Sequence, residues 1–317
     1  MPRVAAIDCG TNSIRLLVAD VTRREDGSHW LRDVHREMRV VRLGQGVDAT
    51  GMLAPEALQR TAAALADYTA VLRRKGVERV RMVATSATRD ARNREDFFGM
   101  VREVLGAEAE VITGDEEARL SFTGAVGELD AAEGPFVVTD VGGGSTEVVL
   151  GTWDGTRAHV TAARSVDVGC VRITERCLHS DPPSADEVAK AEQVITEALA
   201  EAFEAVPVAD ARTWVGVAGT ITTLSAVVQD LPEYDSERTH LSRLSLDQVV
   251  TTTDRLLSLT HDERAAIGCI HPGRVDVIGG GALVVRALAR ELSRRAGITE
   301  LVVSEHDILD GIALSIA

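Results

Sequence analysis

The stretch VVTDVGGGSTEVVLG, residues 137–151, sets three consecutive glycines between two runs of β-branched residues, with Asp140 before them and Glu147 after. Glycine gives up the most backbone freedom on folding, so three in a row weaken any strand. The flanks still read as strands, which makes residues 142–145 a turn with a task beyond reversing the chain. The same design occurs earlier, in IDCGTNSIRLLVAD, residues 7–20: apolar strand, Asp, any residue, Gly, a small polar turn, apolar strand. Asp8 then corresponds to Asp140, Gly10 to Gly142 and Ser13 to Ser145. One D-x-G turn is commonly structural. Two copies, each opening a half of the chain, point to a shared function. Short turns of glycine and hydroxyl residues present successive backbone N–H groups as an anion-binding nest. Glycine also lets a phosphate approach with no Cβ in the way. An aspartate at the strand end cannot coordinate phosphate and suits a divalent cation or its waters. Gly10, Thr11, Asn12 and Ser13 are therefore expected to face Gly142, Gly143, Gly144, Ser145 and Thr146 across a cleft, gripping a phosphate chain between them.

Outward from these turns the chain alternates strands and helices. RVAAID and SIRLLVADV predict two strands, with a third around Val34 to Val41. PEALQRTAAALADYTAVLRRKG predicts a helix, with proline in its first turn and Gly76 closing it. RVRMVATSA and AEVIT predict further strands, separated by a helix over NREDFFGMVREVLG and followed by one from about Asp115. After ELDAAEG the pattern restarts with FVVTDVG, STEVVLG and a strand near RAHVTAARSV. Helices near Ser184 to Ala205 and Leu246 to Leu257, and strands in TWVGVAG and ELVVSE, complete it. This is an α/β arrangement. The best boundary is the polar, glycine-bounded stretch from Gly127 to Pro135, giving halves at 1–126 and 127–317.

Bulk properties exclude several classes. The chain has 317 residues, enough for two cores, and a mean hydropathy of +0.03. No apolar run is long enough for a membrane span, and MPRVAAIDCG enters a strand at once, so neither a signal peptide nor a membrane partner is expected. Cys9, Cys170, Cys177 and Cys269 show no CxxC spacing and no histidine at zinc distance, which favours reduced thiols in a cytoplasm. A net charge of −15 makes nucleic acid and anionic membranes poor partners.

Taken together, AAIDCGTNSIRLLVAD, VATSATRDARN, VITGDEEARLSFTGAV, VTDVGGGSTEVVLG, SVDVGCVRITE and GVAGTITTL resemble, in order, the exopolyphosphatase and guanosine pentaphosphate phosphohydrolase family. IHPGRVDVIGGGALV continues the likeness, which covers nearly the whole chain. Cys9 stands where that family usually has an aliphatic residue, and the chain ends after two domains, whereas larger members carry more. The resemblance implies two actin-like (ribonuclease H-like) domains, each a mixed sheet flanked by helices, with the active site in the cleft between them. It implies hydrolysis of the terminal phosphoanhydride of polyphosphate or of guanosine pentaphosphate (pppGpp); with only two domains and a net charge of −15, a short track and a preference for short polyphosphate chains are expected. It also implies a Mg²⁺ cofactor, with Mn²⁺ able to stand in, and a homodimer.

Residue roles follow from motif and resemblance together. GDEEARL places Asp115, Glu116 and Glu117 in a first helical turn, where the helix dipole alone would favour acids. The resemblance assigns Glu117 as the base that deprotonates a water for in-line attack on phosphorus. Glu116 is left to capping or support. Asp140 and Glu147 flank the glycine turn; they read either as solvated strand-end carboxylates or, with Asp8, as ligands to a hard cation that keeps its waters. Arg89 matches a phosphate contact, for which a guanidinium suits bidentate binding. Gly219 and Thr220 sit at a strand-to-helix turn, a ready anion site. Arg172, Arg274 and Arg286 are weaker candidates for an outer phosphate track, and His271 reads as structural. Two competing functions remain at this level. VIGGGALVV resembles the segment that packs against adenosine in kinases of the same superfamily, and a phosphate sensor without turnover would keep the same turns.

Overall fold

The computed structural model describes residues 2–25 and 27–317. Each D-x-G turn joins the first two strands of a sheet. In the first sheet β1 (Arg3–Cys9), β2 (Ser13–Arg23) and β3 (His29–Val40) form an antiparallel meander, and β4 (Arg79–Ala84) and β5 (Ala109–Val111) extend it parallel to β1, in the order β3-β2-β1-β4-β5. The second sheet repeats this order. β6 (Phe136–Val141), β7 (Thr146–Trp153) and β8 (Ala158–Val166) form the meander, and β9 (Thr213–Val217) and β11 (Glu300–Val303) run parallel to β6. β10 (Arg243–Ser245) adds an antiparallel edge strand to β11. β6 is buried along its whole length, as its central place in the sheet requires, and it carries Thr139 and Asp140 inside with its apolar residues. β3 starts at His29, earlier than the sequence predicts, because this polar edge strand exposes much of its surface and lacks an apolar signal.

The helix over Pro55–Lys75 forms as predicted. Proline opens it, three basic residues fill its last turn, and Gly76 adopts a left-handed φ of 67° to close it. It packs its buried face, including Tyr68 and Leu65, on the first sheet, and the Tyr68 hydroxyl donates to the Ile14 carbonyl at 3.0 Å.

The two halves exchange helices. The helix Gly114–Val126 belongs by chain order to the first half, but Ala118, Phe122, Ala125 and Val126 pack against Phe136, Val138, Val149 and Val302 of the second sheet. The last helix, Ile308–Ser315, returns to lay Ile308, Leu309, Ile312 and Ala313 on Val4, Ala6, Leu17 and Val83 of the first. The pair crosses with backbones touching. A Cβ on Gly124 would lie 1.8 Å from the Asp307 carbonyl oxygen, and one on Gly311 would lie 2.1 Å from that of Leu120. This crossing holds the two turns at a fixed offset and starts the first helix beside them.

Candidate active site

Both turns close with the same bond, Gly10 N–H to the Ser13 carbonyl at 3.0 Å and Gly142 N–H to that of Ser145 at 3.1 Å. Residues 10–13 and 142–145 line one cleft, together with Asp8, Arg15, Glu117, Asp140, Gly219, Thr220 and Arg274. The amides of Thr11, Asn12, Gly143 and Gly144 have no protein acceptor among the described residues. The carbonyls on the opposite side of the glycine turn are occupied. Cys170 donates to Gly142, and Val171 and Arg172 donate to Gly143, all from the start of the helix Cys170–Cys177. Gly169 permits that approach, since its Cβ would meet the Gly143 carbonyl group at 2.6 Å. Thus SVDVGCVRITE fixes the glycine turn from behind, with its free amides in the cleft.

The glycines also serve the fold. None of Gly142, Gly143 and Gly144 has positive φ. A Cβ on Gly143 would lie 2.8 Å from Thr11 Cβ, and one on Gly144 would lie 2.3 Å from Ser86 Oγ. The second turn is therefore seated directly against the first half. Gly280 and Gly281 have a similar explanation. Their Cβ positions are filled by Thr174, Cys170 and Thr220, so VIGGGALVV is a helix start packed against its neighbours.

Four carboxylates gather on the floor. Asp8 faces Arg15, and Asp140 faces Glu147, across the two hairpins. Glu117 reaches them from the first turn of the helix Gly114–Val126, which Thr113 caps by accepting from the Glu116 amide at 3.2 Å. Arg89 donates to Glu117 at 3.1 Å, Ser121 to Asp140 at 2.6 Å, and Ser165 to Glu147 at 2.7 Å. Gly114 makes room for Ser165, whose Cβ is 2.4 Å from where a Cβ would sit. Burial raises Glu117 to about 8, opposed by Arg89 and reinforced by the charge of Asp140. Burial, then the charge of Asp307, raises Asp140 to about 6. Glu147 is pushed well above the usual carboxylate range by burial and by Glu117 and Asp140. Burial also raises Asp8, against the pull of Arg15.

These acids fit a hard divalent cation. Asp8 Oδ1 and Glu147 Oε2 are buried without a hydrogen-bond partner, a costly state that a cation or its waters would relieve. Among the described residues, no three of the four carboxylates bring oxygens within 4.8 Å of one another, so the site suits an ion that retains waters and accepts phosphate oxygens.

Most of the residues expected at the site meet there, and three depart from expectation, the first being Glu147, which is buried beneath the cleft and does not line it. Thr146 begins β7 facing inward, and its hydroxyl donates to the Val168 carbonyl at 2.6 Å, so it does not line the cleft. Arg89, expected on phosphate, is engaged with Glu117 and the Ile112 carbonyl. Glu116 lies outside the cleft, paired with Arg81 at 2.6 Å. Arg172 bonds Gly144 and spans to Asp48 and Asp90, and Arg286 pairs with Glu192 and Asp254 away from the cleft. Arg274 is the better phosphate candidate. Among the described residues its guanidinium hydrogen-bonds only the Gly219 carbonyl and the Thr223 hydroxyl, both at 3.2 Å, with no carboxylate bonded to it, and burial lowers its pKa. A Cβ on Gly219 would lie 2.2 Å from that guanidinium, so the glycine admits it. Arg15 was legible but missed: it occupies in the first hairpin the position that Glu147 occupies in the second. Asp307, which bonds Arg15, caps the last helix, and the sequence signal it offered was that of a helix start, Asp before an apolar run.

The sequence pattern of the Ppx/GppA phosphatase family matches residues 20–316. The chain belongs to that family. Exopolyphosphatase 2 of Mycobacterium tuberculosis is 59% identical over 326 aligned residues, covering 100% of this chain and 99% of its own. The bifunctional 3-dehydroquinate synthase/phosphatase of Fusobacterium nucleatum is 32% identical, over 98% of this chain and 46% of its own. Among solved structures, an exopolyphosphatase-like protein superposes with a TM-score of 0.93 at 43% identity, covering 99% of this chain and 98% of its own. The Ppx/GppA family member of Aquifex aeolicus gives 0.79 at 31% identity, over 99% and 97%. The two mixed sheets flanked by helices are thus the two-domain actin-like architecture of Ppx/GppA proteins. No helix among the described residues is long and apolar enough to cross a membrane.

Proposed function

We propose that this Ppx/GppA protein is an exopolyphosphatase, releasing orthophosphate from the end of short inorganic polyphosphate chains by attack of water on the terminal phosphorus. The observation that carries the reading is Glu117, a buried acid held near neutrality, facing two turns whose amides have no protein acceptor. Full-length similarity to exopolyphosphatase 2 favours polyphosphate over guanosine pentaphosphate.

The amides of Thr11, Asn12, Gly143 and Gly144 hold the oxygens of the terminal phosphoryl group, and Arg274 takes the charge of the units behind it. Glu117, oriented by Arg89, accepts a proton from the attacking water, for which a pKa near the working pH is well suited. The bond from phosphorus to the bridging oxygen breaks, and the shortened chain leaves with that oxygen. Asp140, Glu147 and Asp8 would hold Mg²⁺ directly or through water; when bound, the ion supplies charge neutralisation on the phosphoryl oxygens. Mn²⁺, also octahedral with oxygen ligands, fits the same donors.

With a net charge of −15, attraction for a polyanion is local, from amides, Mg²⁺ and a few arginines. Affinity should stop improving once the chain outgrows the cleft. We place the enzyme in the cytoplasm, with its four buried cysteines unpaired, and expect a homodimer by light scattering. The deciding experiment compares phosphate release from polyphosphates of defined length, guanosine pentaphosphate and ATP at fixed Mg²⁺. A specificity constant highest for short polyphosphate is expected. A clear preference for guanosine pentaphosphate, or a steady rise to chains of hundreds of units, would overturn the reading.

A further inference from the structure

Two segments meet beside the second sheet: the loop after the helix Gly114–Val126, which leads into β6, and the passage before the helix Ile308–Ser315, by which the chain returns to the first sheet. Glu128 lies on the first, His306 on the second, and His240 follows the short helix Ser236–Thr239 of the second half. Their side chains converge outside the catalytic cleft. Glu128 Oε2 lies 2.8 Å from His240 Nε2 and 3.7 Å from His306 Nε2, and one ligand atom from each residue falls within 4.8 Å of the others. The two imidazoles stand edge to face, with centroids 4.8 Å apart and planes at 78°.

We propose that Glu128, His240 and His306 form a site for one divalent transition-metal ion of borderline softness, with zinc as the reference case, at the junction between the halves. Two imidazoles and a carboxylate with an open fourth position are a recurrent zinc donor set, and imidazole disfavours magnesium. Metal–ligand bonds of about 2.0–2.2 Å put tetrahedral donors roughly 3.3 Å apart. The Glu128–His240 pair must therefore open slightly and His306 draw in. Both shifts are small for side chains with open neighbours, Glu128 being 56% exposed.

The surroundings are built in one respect that chance proximity would not supply. His306 Nδ1 is 2.7 Å from the buried Asp310 carboxylate, which is anchored in turn by Arg36 at 2.6 Å. A carboxylate on the far nitrogen orients the ring with Nε2 toward Glu128, the usual support for a metal-bound histidine, and a metal there displaces the proton that Asp310 and Glu128 favour on this imidazole. His240 Nδ1 accepts from the Glu305 amide at 3.2 Å. Binding at its Nε2 moves the ring proton to Nδ1 and gives up that long bond, which weakens the site. Asp310 adds negative charge beside His306, and Arg36 is the opposing cation. A bound ion would tie the returning passage to the second half.

The test uses the full chain, stripped with chelator and then dialysed into millimolar Mg²⁺ to occupy the cleft carboxylates. Titration with Zn²⁺ by calorimetry should give one equivalent per chain, and Co²⁺ should give the visible absorption of a tetrahedral site. The E128Q variant and the H240Q/H306Q double variant should each lose affinity by at least about tenfold, the scale of even supporting-residue losses. Their polyphosphatase activity without added zinc should be unchanged, which also shows that they fold. Failure of the parent protein to bind an equivalent, or retention of that equivalent in H240Q/H306Q, would overturn the site. Neither outcome depends on the substrate assignment.

Discussion

Asp8 faces Arg15 across the first hairpin, and Asp140 faces Glu147 across the second, at the same register. Cross-strand partners share a face and interact strongly, so one exchanged residue gives the two turns opposite electrostatics. Arg15 sits 2.7 Å from Asp8 and also bonds Asp307, so the first half neutralises its acid from within. The second half sets two acids together, beside Glu117, with only serine hydroxyls bonded to Asp140 and Glu147. The two turns share an amide nest, and the difference at the seventh residue past the aspartate leaves one acid paired with an arginine and the other beside a second acid.

The sharpest way to break this comparison is to neutralise the divergent position in each copy. Arg15→Gln leaves Asp8 and Asp307 buried without their cation, and breaking a buried pair costs about 3–5 kcal/mol. Glu147→Gln removes one of several mutually repelling acids. It should leave the metal-free protein as stable or more so, while raising the Mg²⁺ concentration for half-maximal rate; Asp140→Asn should do the same. Thermal unfolding in chelator and magnesium titrations of the rate read both effects. Equal destabilisation by the two Gln variants, or an unchanged magnesium curve, would make the hairpins electrostatic equals.

Next in size is the acid that stands between the turns. Glu117→Gln keeps the shape and the bond to Arg89 but cannot accept a proton. Turnover should fall by at least about a hundredfold, the usual scale for loss of a general base, with polyphosphate binding preserved. Near-normal turnover would move the base elsewhere in the cleft.

A third expectation concerns pH. Glu117 rises from 4.5 to about 8 on folding and Asp140 from 3.8 to about 6. The folded protein therefore holds protons that the unfolded chain has released. Their stabilising contribution is complete below about pH 4 and is lost as pH climbs through 6 and then 8. The metal-free melting temperature should fall between pH 5.5 and 8.5. Saturating Mg²⁺ should flatten that slope, because a bound cation favours the ionised carboxylates. A slope indifferent to magnesium would place the ion away from the second hairpin.

Much of this site was legible because its chemistry repeats. The turns, Asp8 and Asp140 fall where motif and periodicity put them, since apolar strands bounded by glycine leave a short turn little freedom, and Glu117 lies where the family resemblance placed it. What escaped was set by packing across the chain. Arg89 reads as a free cation until the fold brings Glu117 to it. Thr146 reads as a turn hydroxyl until β7 faces it inward. The last helix, ILDGIALS, has too few polar residues to show a helical period, because it is buried between the halves. Asp307 reaches Arg15 only through that helix.

The smallest effect asked of the comparison concerns the glycines, which the two turns share in sequence but use differently. A Cβ on Gly10 would meet the Ser13 carbonyl at 3.5 Å, an ordinary contact, and Gly10 has no positive φ. A Cβ on Gly144 would fall 2.3 Å from Ser86 Oγ and 2.8 Å from Thr11 Oγ1, so a side chain there must part the halves or turn Ser86 and Thr11. Overpacking of this kind costs about 1–3 kcal/mol. Gly144→Ala should therefore lower the melting temperature whether or not substrate is present. Gly10→Ala should leave the free protein within about 0.5 kcal/mol of its starting stability, as expected where no special packing or strain is touched. If Gly10 serves to admit phosphate, the same variant should still weaken the specificity constant for polyphosphate. Its damage would then appear only with substrate, whereas that of Gly144→Ala appears without it. A Gly10→Ala protein unchanged in both respects would assign the first glycine to neither task and leave anion binding to the second turn.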